Sequence, residues 1–242
     1  MTETPQAPAA SLPSLPARFF GILFSPREMF TAVVANPKWF GMVALTAVIT
    51  ALGMFLFLST EVGQQAVVDQ QVSTMESFGR QVNDEAYAAI ERQAQYAKYI
   101  NPATILVVSP IMAAIIAGIL LGIFNAALGG DASFKKMLAV VAHAGPVSVV
   151  QQLFSLPINY MRGSASSPTN LSVFFPMVSD EGFFGSLLGT IDLFLLWWVA
   201  VMAIGLSVLY RRPTRGMLIG LLIIYAVIAL AIAGVKAAMG GS

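Results

Sequence analysis

The sequence contains no cysteine and only one histidine, His143. Without cysteine the chain has no disulfide, no thiolate nucleophile and no cysteine-ligated metal centre. One imidazole is too few for a multi-histidine metal site. The sequence also shows no Gly-rich phosphate loop, no paired carboxylates and no Ser-His-Asp constellation. We therefore expect a protein with no enzymatic activity, no catalytic residue, no metal and no cofactor.

Charged residues are scarce as well. They make up 10% of the 242 residues, and the formal net charge is +1. Soluble domains are usually about 25% charged. A chain this close to neutrality presents no strongly basic surface, so we expect no nucleic-acid partner.

Apolar residues, by contrast, make up 57% of the chain and gather in long runs. About 20 residues in a helix cross a hydrocarbon core of about 30 Å. Five runs reach that length, at about 39–58, 103–128, 134–160, 185–210 and 217–238. The pattern predicts an all-α polytopic membrane protein in which residues 39–239 form a five-helix membrane domain.

The segments outside these runs differ in character. Residues 1–16, rich in Pro, Ala and Ser, are predicted to be a disordered tail. Residues 59–101 are polar, with apolar residues at helical spacing, and are predicted to be a helical loop outside the membrane. A helix break is expected near Gly79, with a new helix capped at Asn83 or Asp84.

Residues 17–38 carry the signature of an amphipathic helix that lies on the membrane surface. Ser25 and Glu28 match a capping box, with Pro26 at the first helical position. We expect a surface for lipid or a partner protein that includes Phe24, Pro26, Arg27 and Phe30. The alternative is a short helix buried against the bundle.

Prolines and polar residues interrupt the apolar runs. Pro110 is expected to bend the second span, and Gly145-Pro146 to kink or break the third. The fourth run contains one formal charge, Asp192. An ionisable residue inside a span marks a functional hypothesis by default.

Depth along antiparallel spans predicts the neighbours of Asp192. Gln151 and Gln152 fall at its depth in the third span, whereas His143 lies nearer the other face. We therefore predict a polar cluster in which Asp192 pairs with a glutamine amide and fixes helix packing. An ion or proton pathway through these residues is the alternative. His143 is expected to donate to a backbone carbonyl that a proline leaves free.

Lysine and arginine set the predicted orientation. They concentrate before the first span, at residues 135–136 and at residues 211–215. Positive charge in short loops favours the cytoplasmic side. The N-terminus is therefore predicted to be cytoplasmic, and the C-terminus and the helical loop to lie outside.

The chain resembles a bacterial-type member of the Ypt-interacting-protein (YIP) family of five-span membrane proteins, over about residues 18–235. The resemblance rests on motifs whose order and spacing match: Phe24-Ser25-Pro26-Arg27-Glu28-Met29-Phe30, Pro37-Lys38-Trp39, Gly129-Gly130, Ser133-Phe134, Pro146, Asp192-Leu193-Phe194, Trp197 and Gly205-Leu206. It implies a cytoplasmic N-terminus and a compact five-helix domain. Eukaryotic relatives bind prenylated small GTPases in secretory-pathway membranes. The acidic Asp-Leu-Tyr-Gly-Pro type motif of those relatives is absent, so GTPase binding is not carried over.

Two functional classes follow from these observations. The first is a scaffold or interaction protein of membrane organisation or trafficking-like processes, in the bacterial cytoplasmic (inner) membrane. Its partners would be the lipid bilayer and an unidentified membrane or cytoplasmic protein, and a homo-oligomer is left open. The second is a small ion or solute transporter or channel that uses Asp192 and the proline-broken helices.

Overall fold

The computed structural model describes residues 12–178 and 182–240. Over that part of the chain the fold is all-α, with ten α-helices, one short 3-10 helix and a single isolated β-bridge. The α-helices are α1 (Leu15–Phe24), α2 (Pro26–Ala35), α3 (Phe40–Leu58), α4 (Glu61–Ser77), α5 (Asp84–Leu128), α6 (Phe134–Ala144), α7 (Pro146–Arg162), α8 (Phe183–Thr190), α9 (Leu193–Tyr210) and α10 (Thr214–Gly240). Most of the predicted tail, 1–16, lies outside the described residues, and its end belongs to α1.

Five segments are long and apolar enough to cross a membrane: Phe40–Leu58, Asp84–Leu128, Phe134–Arg162, Leu193–Tyr210 and Thr214–Met239. Two of their neighbouring pairs, the second with the third and the fourth with the fifth, are joined by short connections, which place those spans side by side and antiparallel. The predicted all-α polytopic class is confirmed.

The second span is continuous with the helix that precedes it in the polar loop. α5 is one continuous helix of 45 residues that begins at Asp84, where the side chain of Asn83 accepts a hydrogen bond from the Ala86 amide at 2.9 Å. At about 1.5 Å per residue the helix is about 68 Å long, more than twice the thickness of a hydrocarbon core. Pro102 and Pro110 lie inside it. A proline removes one helical hydrogen bond and bends a helix without necessarily ending it, so the loop helix capped at Asn83 continues into the span predicted at about 103–128.

The polar loop is the other half of a helical hairpin. α4 packs against the first turns of α5, and α5 also packs along α3. Val68, Ile90 and Ala94 are buried between the two arms of the hairpin. The apolar stripe predicted for the loop therefore covers the hairpin's own second helix.

The third span is broken at the Gly145-Pro146 pair. α6 ends at Ala144 and α7 begins at Pro146, which has no N–H to continue the helical ladder. Residues 137–144 are all buried, so α6 is the central helix of the bundle.

The fourth span begins later than predicted. The run 185–210 is not one helix: α8 ends at Thr190, Ile191 and Asp192 are extended, and α9 begins at Leu193. The backbone of 191–193 instead pairs with the preceding loop, where Leu171 N–H donates to the Ile191 carbonyl at 2.8 Å and Leu193 N–H donates to the Thr169 carbonyl at 3.1 Å. Asp192 therefore lies at the end of a span and not inside one.

The main apolar core joins α1, α2, α5, α6, α7, α9 and α10. Gly205 of α9 allows a close approach of helices in this core, because a Cβ at this position would lie 2.6 Å from Val140 Cγ1 and 3.0 Å from Phe30 Cε1. Any side chain there would force its neighbours apart. Phe30 is fully buried in this core.

Candidate functional site

Asp192 is the centre of a buried polar cluster at the start of α9. It occupies the N-cap position, where Oδ1 accepts hydrogen bonds from the amides of Phe194 at 2.8 Å and Leu195 at 3.2 Å. A carboxylate is well placed here because the first amides of a helix have no helical partner and carry partial positive charge. The sequence Asp-Leu-Phe-Leu thus starts a helix through its own first residue.

Three side chains from two other segments complete the cluster. Gln151 Nε2 of α7 donates to Asp192 Oδ1 at 3.2 Å. Ser167 Oγ and Thr169 Oγ1, in the loop after α7, donate to Asp192 Oδ2 at 2.5 Å and 2.7 Å. The Asp192 side chain therefore accepts five hydrogen bonds. Two come from the first turn of α9, one from α7 and two from the loop after α7.

The backbone of Asp192 makes a further connection to α10. Its N–H donates to Tyr225 Oη at 3.3 Å, and Tyr225 Oη donates to the Thr190 carbonyl at 2.8 Å. The tyrosine thereby fills the gap in the helical ladder between α8 and α9. The third, fourth and fifth spans meet at this point.

The two glutamines have different roles. The structure brings Gln151 to Asp192, as depth matching predicts. Gln152 instead donates through Nε2 to the carbonyl of Thr50 in α3 at 2.8 Å. Adjacent residues on a helix point about 100° apart, so only one of the pair can face α9. Gln152 ties the third span to the first.

His143 lies in a separate buried cluster with Arg18 of α1. Its Nδ1 lies 2.8 Å from the Ala139 carbonyl and its Nε2 lies 3.1 Å from Arg18 Nη1. A carbonyl and a guanidinium have only one role each, acceptor and donor, so Nδ1 carries the proton and Nε2 accepts from the arginine. The carbonyl belongs to the residue one turn earlier and is not freed by Pro146. The prediction on that carbonyl is therefore wrong.

A helix on the membrane surface would keep Arg18 on its polar side, but the structure buries this residue. Only 7% of its surface is exposed. Beside His143, its Nη1 donates to the Lys38 carbonyl at 3.2 Å, and Nε has no hydrogen-bond partner among the described residues. Desolvation by burial lowers the pKa of the Arg18 guanidinium from its usual value.

The predicted surface of residues 17–38 divides into a buried part and an exposed part. Phe30 is fully buried against α6 and α9, so the prediction that it enters lipid is wrong, and the alternative of a helix packed on the bundle holds for α2. Phe24 is 81% exposed, and Arg27, also exposed, donates to Thr214 Oγ1 at 3.5 Å.

Pro26 is the first residue of α2, but the Ser25 side chain makes no cap hydrogen bond. The capping box is therefore not formed.

Several residues of the Asp192 cluster escaped the sequence reasoning. Ser167 and Thr169 belong to a Ser-rich loop, and nothing in their spacing distinguishes them from solvent-exposed residues. Tyr225 lies in an apolar stretch of the fifth span. A buried tyrosine hydroxyl usually has a hydrogen-bond partner, and this was the one signal in the sequence that Tyr225 contacts a polar group. Among the residues that the structure describes, no group of three or more acidic or histidine side chains could hold a metal ion.

The fold and these two clusters define a polytopic α-helical membrane protein whose buried polar groups connect its helices. The chain belongs to the Yip1 domain family, whose model matches residues 20–235. Comparisons with curated proteins and with solved structures gave no match.

Proposed function

We propose that this protein is a non-enzymatic membrane scaffold or interaction protein of membrane organisation or trafficking-like processes. We further propose that it lies in a bacterial cytoplasmic membrane with its N-terminus inside. The membrane class and the Yip1 family are established by the five apolar helices and the family match. The role itself is the proposal.

The observation that carries the proposal is the α4–α5 hairpin. About 18 residues of α5, from Asp84 to the first apolar turns, extend beyond the length that the membrane requires. On one side of this part, Ala94 and Ala97 are buried against α4. The neighbouring residues 91–93, 95 and 96 are exposed. A rigid helical arm outside the membrane is a natural surface for a partner protein.

The state of the buried polar groups also supports this role. Asp192 accepts from Gln151, Gln152 donates to the Thr50 carbonyl, and His143 contacts Arg18. A transport site needs such groups to exchange partners with a substrate or with water. Here they link helices to one another, and the Yip1 family match does not favour the transport alternative.

The proposal is tested by site-specific photocrosslinking in native membranes. A photoreactive amino acid is placed at Ala88 or at Gln95, both exposed on the arm. The matched control is Val227, which is 61% exposed on the apolar surface of α10. We expect the same discrete protein adduct from both positions of the arm and only lipid adducts from the control. Adducts at all three positions alike, or no protein adduct from the arm, would contradict the proposal.

A further inference from the structure

A groove of about 470 Å³ lies between α1, the segment before α3 and the first turn of α6. Arg18, Lys38 and Lys135 line it, and its described lining residues include no acid. Three cations from three different segments therefore face one concave space. Such a concentration of positive charge on a nearly neutral chain is suited to an anion.

Arg18 is the most buried of the three cations. Only 7% of the residue is exposed, yet its guanidinium donates only to neutral acceptors, the Lys38 carbonyl and His143 Nε2. Its Nε is left without a hydrogen-bond partner among the described residues. A buried cation is costly unless it is paired with opposite charge and fully hydrogen-bonded. An anion in the groove would supply the missing opposite charge.

The backbone around the groove favours an anion as well. Phe40 and Gly41, the first two residues of α3, line it, and because Gly41 has no side chain its contribution is backbone. The first amides of a helix have no intrahelical partner and point toward the N-terminal end. The N-cap residue of α3, Trp39, supplies no side-chain cap. The Met42 amide donates to the Trp39 carbonyl at 3.2 Å. The amides of Phe40 and Gly41 have no acceptor among the described residues, so they can donate to a phosphate oxygen.

The surroundings identify the source of the phosphate. The groove lies at the starts of two spans, α3 and α6, which is the level of lipid headgroups. Phe40, which lines the groove, is 68% exposed, and Phe134, the residue before Lys135, is 44% exposed. A free phosphate gains nothing from apolar neighbours, whereas the acyl chains of a phospholipid would cover them.

We propose that this groove binds the phosphate of an anionic phospholipid headgroup, with Arg18 as the buried contact and Lys38 and Lys135 at its rim. The inference goes beyond the scaffold proposal, since it rests on the groove alone. Absence of lipid binding would leave the crosslinking result of the scaffold proposal unchanged.

Native mass spectrometry of the full chain tests this inference. The protein is released from a zwitterionic detergent with phosphatidylglycerol and phosphatidylcholine at equal concentrations, and bound lipids are counted. We expect one phosphatidylglycerol to be retained preferentially. Lys38→Gln and Lys135→Gln should each weaken its retention about fivefold, the equivalent of about 1 kcal/mol per cation near an anionic headgroup.

Lys136→Gln is the matched control, because Lys136 is exposed on the same turn of α6 but does not line the groove. It should leave lipid retention unchanged. Arg18→Gln should abolish the preference. If that variant does not fold, the two lysine variants, which alter only exposed side chains, carry the test.

Two results would overturn the inference. The first is equal retention of the two lipids, or equal loss of retention in the Lys136→Gln control. The second comes from a parallel titration with inorganic phosphate. A free phosphate, and not a lipid, is the occupant if three results occur together. Inorganic phosphate alone protects the protein against thermal unfolding, Lys135→Gln reduces that protection, and phosphatidylglycerol is retained no better than phosphatidylcholine.

Discussion

Replacement of Asp192 by leucine should loosen the bundle more than any other single change in its polar clusters. Leucine has the same branching but accepts no hydrogen bond, so all five donors around the Asp192 carboxylate lose their acceptor at once. Loss of an N-cap side chain alone costs about 1 kcal/mol. The side-chain bond from Gln151, between two helices of the membrane domain, adds about 0.6 kcal/mol.

The two hydroxyl donors contribute the rest. Thr169 is buried, so its hydroxyl loses an acceptor that water does not readily replace. A buried donor left without a partner costs about 1–3 kcal/mol. Ser167 and Thr169 can still hydrogen-bond to each other, at 3.1 Å, which limits the loss. Since these bonds belong to one network and do not add fully, we expect a total of about 3–4 kcal/mol.

Asp192→Asn is the control that separates hydrogen bonding from charge. The amide oxygen can keep the helix cap and the bond from Gln151, because asparagine is as good an N-cap as aspartate. The amide nitrogen would donate to the hydroxyls of Ser167 and Thr169, which can accept as well as donate. We expect a loss of about 1 kcal/mol or less.

The assay is equilibrium unfolding in mixed micelles titrated with sodium dodecyl sulfate, followed by tryptophan fluorescence. Trp197 and Trp198 lie on α9, one turn from the cap, and should report its detachment. Gln151→Leu, which removes a single donor, should cost about 0.6 kcal/mol. The reasoning is refuted if Asp192→Leu unfolds at the wild-type midpoint, or if Asp192→Asn is as damaging as Asp192→Leu.

Three further predictions follow from other parts of the molecule. Gly205→Ala should lower the free energy of unfolding in the same assay by about 1–3 kcal/mol, because a Cβ overlaps the core. Gly216 has open space around it, so Gly216→Ala should be neutral or slightly stabilising. Equal effects of the two substitutions would show that the close approach at Gly205 is not real. His143→Leu should cost about 2 kcal/mol by leaving the buried guanidinium without its imidazole acceptor, and a wild-type midpoint for this variant would exclude the pairing. Because the chain has no cysteine, cysteine labelling of intact cells should modify position Ser77 from outside and spare position Thr214, and the reverse pattern would invert the proposed orientation.

Much of the fold could be predicted because membrane spans are specified by composition and length. A run of about 20 apolar residues has few alternatives in a bilayer, where backbone groups must be paired within the segment. The break of the third span was visible as Gly145-Pro146, and the start of α5 as Asn83 or Asp84. The pairing of Asp192 with a glutamine followed from depth alone, since consecutive spans are antiparallel neighbours, but depth did not decide between Gln151 and Gln152.

The unpredicted features depend on contacts between distant segments. The helix break before Leu193 could not be read from apolar residues that continue on both sides of Asp192, because the cause is pairing with the loop at 169–171. Phe30 looked suited to lipid because its local pattern is amphipathic, yet the same apolar face fits the gap opposite Gly205. Periodicity shows that a helix has an apolar face but not whether lipid or protein covers it.

The burial of Arg18 was the furthest from expectation. A charged residue near a span is normally assigned to the headgroup level, since burial of a lone cation is unfavourable. Its position became clear only when the fold brought α1 to His143, which is 125 residues away in the chain. No local signal joins the two residues.

The central claim of this account is that Asp192 holds helices together and does not conduct. Ion flux into proteoliposomes that contain the purified protein tests it most directly, with proton-sensitive and sodium-sensitive dyes inside and a potential imposed across the membrane. The account predicts that wild type and Asp192→Asn both show the leak of protein-free liposomes. Flux in the wild type that disappears in a folded Asp192→Asn variant would contradict it and assign the cluster to transport.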